Sequence, residues 1–275
     1  MVDEPQTLFI VSDRTGITLE QLVRSLLTQY DGLAIERIVK PFLDTPEKVD
    51  QILEEIDRLV ADDSPLPIVF SSIVDGTLRK RLRGANALVL DIFDTYLPPL
   101  SQALGLAPSE HIGLSHGIAD PGQYDRRVDA VNFALNYDDG SRFRGLDAAD
   151  LILVGVSRSG KTPTCLYLAM QYAIRAANFP LTEDDFLNGV MPGPLKEHRS
   201  LCFGLTISPE RLHRIREERR PGSDYASLGQ CRREVAAAED LFRSHSIPFV
   251  DSTMVSIEEL SIEIMQRIGV ARSHY

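Results

Sequence analysis

The feature that most constrains the fold is a short apolar run that leads into a glycine-containing loop and then into a helical pattern. Residues 151–154 have the length and the β-branched character of a buried strand. The residues that follow have the spacing G-x-x-x-x-G-K-T, and Pro163 falls in the first turn of the expected helix, where its missing N–H costs nothing. This order predicts a strand, a phosphate-binding loop and a helix whose N-terminus faces the loop. The loop consists of Gly155, Val156, Ser157, Arg158, Ser159, Gly160, Lys161 and Thr162.

Each residue type in this loop has a physical role in binding a phosphate group. The two glycines let the backbone wrap closely round an anion and point its N–H groups inward. Lys161 is expected to neutralise the terminal phosphates as a catalytic residue, and the Thr162 hydroxyl is expected to take a Mg²⁺ position. The alternative is a glycine-containing turn without a ligand. The Lys-Thr pair at the required offset favours the phosphate-binding loop over that alternative.

Composition excludes several classes of partner. A formal net charge of −11 argues against a general nucleic-acid surface, because such a surface uses clustered Lys and Arg to neutralise phosphates. No apolar run approaches the ~18–20 residues that a membrane span needs, and the acidic start of the sequence lacks the pattern of a signal peptide. The three cysteines are far apart and lack metal-ligand spacing. We therefore expect a cytoplasmic protein with no nucleic-acid or membrane partner.

Alternating strand-like and helix-like patterns predict an α/β fold with parallel sheets. We expect an N-terminal Rossmann-like α/β lobe over 1–106, a connector with functional loops over 107–145, and a C-terminal P-loop kinase-like α/β lobe over 146–275. In the first lobe the predicted strands are 8–11, 35–39 and 68–72, and the predicted helices are 18–30, 46–61 and 76–105, the last interrupted at Pro98 and Pro99.

The second lobe is predicted to continue from the loop with a helix whose apolar spacing extends to Ala177. The segment 180–200 contains three prolines and is predicted to be a loop or lid. The remaining predicted elements are strands at 201–207 and 247–250 and helices at 209–219, 227–244 and 256–268.

Three polar segments could contribute to a site, and each has a simpler interpretation. The segment 12–16, S-D-R-T-G, follows the first strand, where open parallel sheets place ligand loops; it could equally be a turn and helix cap. Asp138 and Asp139 precede a glycine and could hold Mg²⁺ or act as a general base, although Asp-Asp-Gly is commonly a turn. His116 could accept a proton or contact phosphate, or it could be structural.

Two further features concern charge near the end of the chain. Asp251 follows a strand and resembles the metal-orienting acid of P-loop enzymes, although a proline within that strand weakens the match. A group of arginines suits nucleotide phosphates or an acidic partner, whereas the interleaved glutamates also allow a solvated, ion-paired helix. The arginines are Arg211, Arg214, Arg216, Arg219, Arg220, Arg232 and Arg233.

Several motifs together resemble one known family. They are Ser12-Asp13, Ser115-His116-Gly117, Asp138-Asp139-Gly140, the loop 155–162 with Pro163-Thr164, and the stretches 203–207, 215–220, 225–227 and 230–231. Over nearly its whole length the chain resembles the bacterial phosphoenolpyruvate synthase regulatory proteins, relatives of the pyruvate, phosphate dikinase regulatory proteins. The Gly-Lys form of the loop favours the synthase branch. Tyr137 departs from the pattern, since relatives commonly have His at this position.

The resemblance implies a bifunctional enzyme. Such proteins use ADP to phosphorylate a threonine of the target dikinase, here phosphoenolpyruvate synthase, and they remove that phosphate with inorganic phosphate as the acceptor and pyrophosphate as the product. Residues 155–162 would bind the nucleotide, Lys161 would stabilise the transferring group, and Asp138 or Asp139 would activate the target hydroxyl. A homodimer is also implied. The rival hypotheses are the same chemistry on pyruvate, phosphate dikinase and a non-catalytic regulator that senses ADP.

Overall fold

The protein has two α/β units, each built on its own parallel sheet. The computed structural model describes residues 5–61, 65–109, 121–138, 145–188 and 190–269. The backbone divides into two compact units, Met1–Gly117 and Ile118–Tyr275, and each contains a four-stranded sheet. The predicted α/β fold with two lobes is therefore confirmed. Within the residues described, no helix is both long enough and apolar enough to span a bilayer.

The first unit alternates strands and helices, as predicted. The sheet order is β2-β1-β3-β4, and every neighbouring pair is parallel. The chain therefore leaves β1 first to one side and then to the other, so the loops after β1 and β3 meet at the carboxyl edge. The elements are β1 (Gln6–Ser12), α1 (Ile17–Leu27), β2 (Ile35–Lys40), α2 (Pro46–Ala61), β3 (Ile68–Ser72), α3 (Gly76–Leu82), β4 (Leu88–Asp91) and α4 (Ile92–Leu104).

The helical region predicted over 76–105 is interrupted at a different place from the one predicted. Pro98 and Pro99 lie inside α4, and the interruption is strand β4, which comes earlier in the chain. The prolines are tolerated because no residue of α4 is buried, so water can satisfy the carbonyl groups that lose their helical partners. Strand β4 was missed because it is a four-residue edge strand, too short to show a period of its own.

The second unit has the same strand order on a sheet of its own. The order is β6-β5-β7-β8, all parallel, so the loop after β5 lies at the point where the connections reverse direction. The helices and strands are α5 (Pro121–Asn136), β5 (Leu151–Gly155), α6 (Lys161–Tyr172), β6 (Ala176–Pro180), α7 (Glu183–Asn188), α8 (Gly193–Lys196), β7 (Cys202–Thr206), α9 (Pro209–Arg219), α10 (Leu228–Ser244), β8 (Phe249–Asp251) and α11 (Ile257–Ile268).

Two predictions for this unit were wrong, and a third segment contains a helix that was not predicted. Helix α6 ends at Tyr172, where Ala173 adopts a left-handed conformation, so Ala177 lies in strand β6 and not in the helix. The segment 180–200, predicted to be a loop or lid, contains α7 and α8. The segment 107–145, described as a connector, contains the 16-residue helix α5. Its Ala130 and Ala134 pack into the same core as α6.

The core of this unit places aromatic rings directly over the central sheet. At Gly204 of β7, an added Cβ would lie 2.7 Å from Cε2 of Phe242 and 2.7 Å from Cβ of Phe249. Both rings belong to the packed interior, and Phe242 is fully buried. Glycine at this position therefore permits the close approach of α10 and β8 to β7.

Replacing this glycine with alanine is expected to destabilise the protein. Gly204→Ala should lower the free energy of unfolding by roughly 1–3 kcal/mol, because the core must shift to accept a methyl group. Urea denaturation measures the effect. The matched control is Gly193→Ala, since an added Cβ there meets no atom within 4 Å. Equal midpoints for the two variants would contradict the packing argument.

Candidate phosphate-binding site

The loop between β5 and α6 has the backbone conformation that its two glycines predict. An added Cβ at Gly155 would lie 2.3 Å from the backbone oxygen of Leu205, so only glycine allows β7 to pass this close. Gly160 caps α6 in a left-handed conformation with φ of 95°. Arg158 is also left-handed, with φ of 76°, which costs a residue other than glycine roughly 1–3 kcal/mol. Contacts around the loop must therefore maintain its shape.

Lys161 is the first residue of α6 and lies folded against the loop. Its side chain is only 4% exposed, and Nζ donates a 2.7 Å hydrogen bond to the Val156 carbonyl oxygen. The ammonium group therefore spans the loop from its last residues back to its start. A buried cation at a helix N-terminus adds to the positive potential that attracts an anion. Thr164 closes the first turn of the helix with a 2.8 Å bond from its hydroxyl to the Gly160 carbonyl oxygen.

Three polar side chains meet beside the N-terminus of α6. The Thr162 hydroxyl donates to Oδ1 of Asp138 at 2.9 Å, and the Asn178 amide donates to the same oxygen at 2.6 Å. The Asn178 amide also lies 3.0 Å from Oγ1 of Thr162. A carboxylate and a hydroxyl held together in this way are hard oxygen donors of the type that Mg²⁺ prefers. Asn178 was not predicted from sequence as a site residue.

Two elements position Asp138 over Thr162. Asp138 follows α5, and the backbone N–H of Asn178 in β6 donates a 2.9 Å bond to the Tyr137 carbonyl oxygen. The Tyr137 ring stacks on Phe133 of α5 with 4.3 Å between ring centroids. Both aromatic residues pack against the core of this unit. Tyr137 therefore has a packing role here.

A buried arginine holds the opposite side of the loop. Arg216 of α9 is fully buried; its Nη2 donates to the Ser157 carbonyl oxygen at 3.2 Å and to Oε2 of Glu234 at 2.6 Å. Its Nη1 donates to the Tyr225 carbonyl oxygen at 3.0 Å, and its guanidinium lies 4.0 Å from the centre of the Tyr225 ring. The Tyr225 hydroxyl in turn donates to Oγ of Ser157 at 3.0 Å. Ser157 therefore accepts two hydrogen bonds from side chains outside the loop, one from Arg216 and one from Tyr225.

The loop is also held from the end of β8. The Ser252 hydroxyl makes hydrogen bonds of 2.8 Å to the Ser159 carbonyl oxygen and 3.0 Å to the Thr206 carbonyl oxygen. Its neighbour Asp251, predicted to resemble a metal-orienting acid, is exposed and accepts hydrogen bonds from the backbone and side chain of Thr253. It is Ser252, not Asp251, that contacts the loop.

The cysteine in α6 is not a nucleophile. Cys165 is buried in the core behind the loop, and desolvation is the main cause that raises the pKa of its thiol. Burial likewise raises the pKa of Cys202 to about 12. Burial therefore disfavours the thiolate form that a cysteine nucleophile needs.

The other predicted site residues are distributed as follows. His116 and Asp139 lie outside the described residues, so their roles remain predictions. The segment 12–16 belongs to the first unit, where Oδ2 of Asp13 accepts a 2.8 Å bond from the Val74 N–H and ties together the loops after β1 and β3. Among the predicted arginines only Arg216 is buried; those that are exposed are Arg211, Arg214, Arg219, Arg220, Arg232 and Arg233.

Comparison with known proteins assigns the chain to a family. A sequence model described as kinase/pyrophosphorylase matches residues 8–265. The chain belongs to the kinase/pyrophosphorylase family. The match spans both units and covers the loop 155–162.

Relatives agree over nearly their full length. A protein from Hahella chejuensis is 48% identical over 267 residues, which cover 97% of this chain and 98% of the relative. A protein from Ectopseudomonas mendocina is 49% identical over 267 residues, which again cover 97% of this chain and 98% of the relative. A protein from Alkalilimnicola ehrlichii is 48% identical over 275 residues, which cover the full length of both chains. Each bears the name of a phosphoenolpyruvate synthase regulatory protein. The resemblance noted from the motifs is therefore confirmed.

Proposed function

We propose that this member of the kinase/pyrophosphorylase family is a bifunctional regulator of phosphoenolpyruvate synthase. As an ADP-dependent serine/threonine kinase it phosphorylates a threonine of the synthase and inactivates it, and AMP is released. As a phosphorylase it uses inorganic phosphate to remove that group, which reactivates the synthase and yields pyrophosphate. The target follows from the names of the relatives, which are regulators of that enzyme.

The observation that best supports the proposal is the grouping of Lys161, Thr162 and Asp138 at one loop of a parallel sheet. Both reactions move one phosphoryl group between oxygen atoms, and such transfers depend on in-line positioning and charge neutralisation more than on covalent catalysis. A single phosphate-binding loop can serve both reactions, because the β-phosphate of ADP and inorganic phosphate would occupy the same place.

The two reactions balance without a further reactant. In the kinase direction the bond between the β-phosphorus of ADP and its bridging oxygen breaks, the threonine Oγ bonds to that phosphorus, and the hydroxyl proton leaves. In the phosphorylase direction an oxygen of inorganic phosphate bonds to the phosphorus of the phosphothreonine and the bond between that phosphorus and the threonine Oγ breaks. The Oγ then takes a proton, and pyrophosphate leaves. Lys161 would neutralise the charge on the transferring group in both directions.

A magnesium ion fits the side chains at this loop. Asp138 and Thr162 supply a carboxylate and a hydroxyl that already lie 2.9 Å apart, and Mg²⁺ is commonly bound by one or two such protein oxygens together with substrate phosphates. In the part of the chain that the structure describes, no group of three or more His, Cys, Asp or Glu side chains forms a metal site. When bound, the ion would neutralise phosphate charge at the loop.

The experiment that tests the function is mass spectrometry of phosphoenolpyruvate synthase after incubation with this protein and ADP, under turnover. A new phosphothreonine with release of AMP, followed by its loss with formation of pyrophosphate when inorganic phosphate is added, is the expected result. If the synthase is unmodified but pyruvate, phosphate dikinase is phosphorylated, the target of the protein is the dikinase. An absence of modification on both, with inhibition retained, would favour a binding regulator that senses ADP.

A further inference from the structure

The loop receives hydrogen bonds on its carbonyl groups from two side chains that belong to distant elements. Arg216 of α9 donates to the Ser157 carbonyl oxygen, and Ser252 after β8 donates to the Ser159 carbonyl oxygen. Neither residue lies in the loop or in α6, which begins at Lys161. These contacts therefore act on the loop backbone from outside, and they act on carbonyl groups, whereas the groups that bind phosphate in such loops are the N–H groups.

The planarity of the peptide bond connects the two kinds of group. The Ser157 carbonyl and the Arg158 N–H belong to one trans peptide unit, in which the C=O and N–H bonds point in opposite directions. A donor that holds the carbonyl on the side of α9 therefore turns the Arg158 N–H away from α9. In the same way, Ser252 turns the Gly160 N–H away from the end of β8.

From these contacts we infer that Arg216 and Tyr225 are positioning residues, which orient the Ser157–Arg158 peptide so that the Arg158 N–H faces a bound phosphate group. Ser157 is held at two points: its carbonyl oxygen accepts from Arg216, and its Oγ accepts from the Tyr225 hydroxyl. The inference rests on the proposed function, because it assigns to these residues the task of preparing the loop for ADP, phosphate or pyrophosphate.

The energetics of the buried ion pair support this role. The Arg216 side chain is 0% exposed, so its charge is fully desolvated, and the side chain of its partner Glu234 is 13% exposed. Buried pairs of this kind contribute little net stability, since apolar residues of similar volume are often as favourable. What an apolar residue cannot do is donate to a loop carbonyl. Nη2 of Arg216 does this while it also donates to Glu234, and Nη1 donates to the Tyr225 carbonyl oxygen, so the direction of these two groups is fixed.

The strained residue in the loop gives the second argument. Arg158 follows the held peptide and has a left-handed conformation that a residue other than glycine adopts at a cost. Such conformations persist only where the surroundings over-determine them. The two hydrogen bonds to Ser157 and the one to the Ser159 carbonyl flank Arg158 on both sides. They therefore stabilise the left-handed conformation of Arg158.

The test is a double-mutant cycle on the Tyr225–Ser157 hydrogen bond, with binding as the measurement. Tyr225→Phe, Ser157→Ala and the double variant are titrated with ADP and, separately, with inorganic pyrophosphate by calorimetry, without any target protein. Tyr225→Phe retains the ring over Arg216, so the fold is preserved. We expect Tyr225→Phe to weaken binding about 3- to 10-fold in the natural background, the value of one hydrogen bond, and to have no effect when Ser157 is already Ala.

A second variant tests Arg216 itself. Arg216→Lys retains the charge but loses the planar fork and is expected to weaken ADP binding roughly tenfold or more, measured well below its melting temperature. Arg232→Met is the control, because it removes an exposed arginine of the same region whose ion pair with Glu210 lies at the surface. Unchanged affinity in Tyr225→Phe and Arg216→Lys, with only a lowered melting temperature, would show a purely structural role and overturn the inference.

The outcomes for the two proposals are distinguishable. If the natural protein binds neither ADP nor pyrophosphate, both the positioning role and the proposed function fail. If it binds them with the expected coupling but leaves the synthase unmodified, the positioning role stands and the proposed function fails. If it modifies the synthase but the cycle shows no coupling between Tyr225 and Ser157, the positioning role alone is overturned.

Discussion

Replacing Lys161 with alanine is expected to slow phosphoryl transfer severely in both directions. Lys161 is 4% exposed and its ammonium donates to the Val156 carbonyl oxygen, so its charge lies buried against the loop. Removing one such stabilising group from a developing charge typically lowers kcat by about 10²–10³-fold, or roughly 3–4 kcal/mol. Because one loop serves both reactions in the proposal, the kinase and phosphorylase rates should fall by similar factors.

The measurement is the rate of phosphothreonine formation with ADP and of its removal with inorganic phosphate. Lys196→Ala is the matched control, since this lysine is exposed at the end of α8 in the same unit. Circular dichroism checks that both variants are folded. Loss of only one of the two activities would mean that the reactions use separate sites, and unchanged rates in both would exclude Lys161 from the chemistry.

The loop could be predicted from sequence because its determinants are local. A buried strand, two glycines at fixed spacing and a helix start all lie within residues 151–163, and each glycine is required by an observed feature: close approach of Leu205 to Gly155 and a left-handed φ at Gly160. Long elements with a strong period, such as α2 and α10, were also predicted with bounds close to those observed.

The elements that sequence reasoning missed have weak local signals. Strand β6 begins with two alanines, which continued the helical spacing of α6, and the helix ends at Ala173 without the glycine that usually marks such a turn. Strand β4 is an edge strand of four residues. In both cases pairing with a neighbouring strand, Leu153 with Asn178 for β6 and Val69 with Val89 for β4, decides the structure, and such pairing is not visible in a local window.

The partners of the loop could not be predicted for a related reason. Asn178 approaches Asp138 only because β6 lies beside β5, and nothing near Asn178 in the sequence distinguishes it from a polar residue in a turn. Arg216 is one of seven arginines in a charged stretch, and the sequence allowed both a phosphate contact and a solvated helix. Packing of α9 against α10 buries this arginine alone, so its role depends on tertiary structure.

We propose that Asp138 orients a metal ion and does not act as a general base. Oδ1 of Asp138 accepts hydrogen bonds from Thr162 and Asn178, and Thr162 is the residue whose hydroxyl takes a metal position in loops of this type. The carboxylate is thus turned toward the place where phosphate charge would be neutralised.

Asp138→Asn is accordingly expected to lower kcat/KM for both reactions by about 10²-fold and to weaken the dependence of ADP binding on Mg²⁺. Calorimetric titration of ADP at increasing Mg²⁺ measures the second effect independently of turnover. Asp147→Asn, at an exposed aspartate of the short helix Leu146–Ala148, is the matched control. If kcat/KM falls while the Mg²⁺ dependence of ADP binding is unchanged, the metal-orienting role is wrong, because a carboxylate that orients the ion must change that dependence when it is replaced.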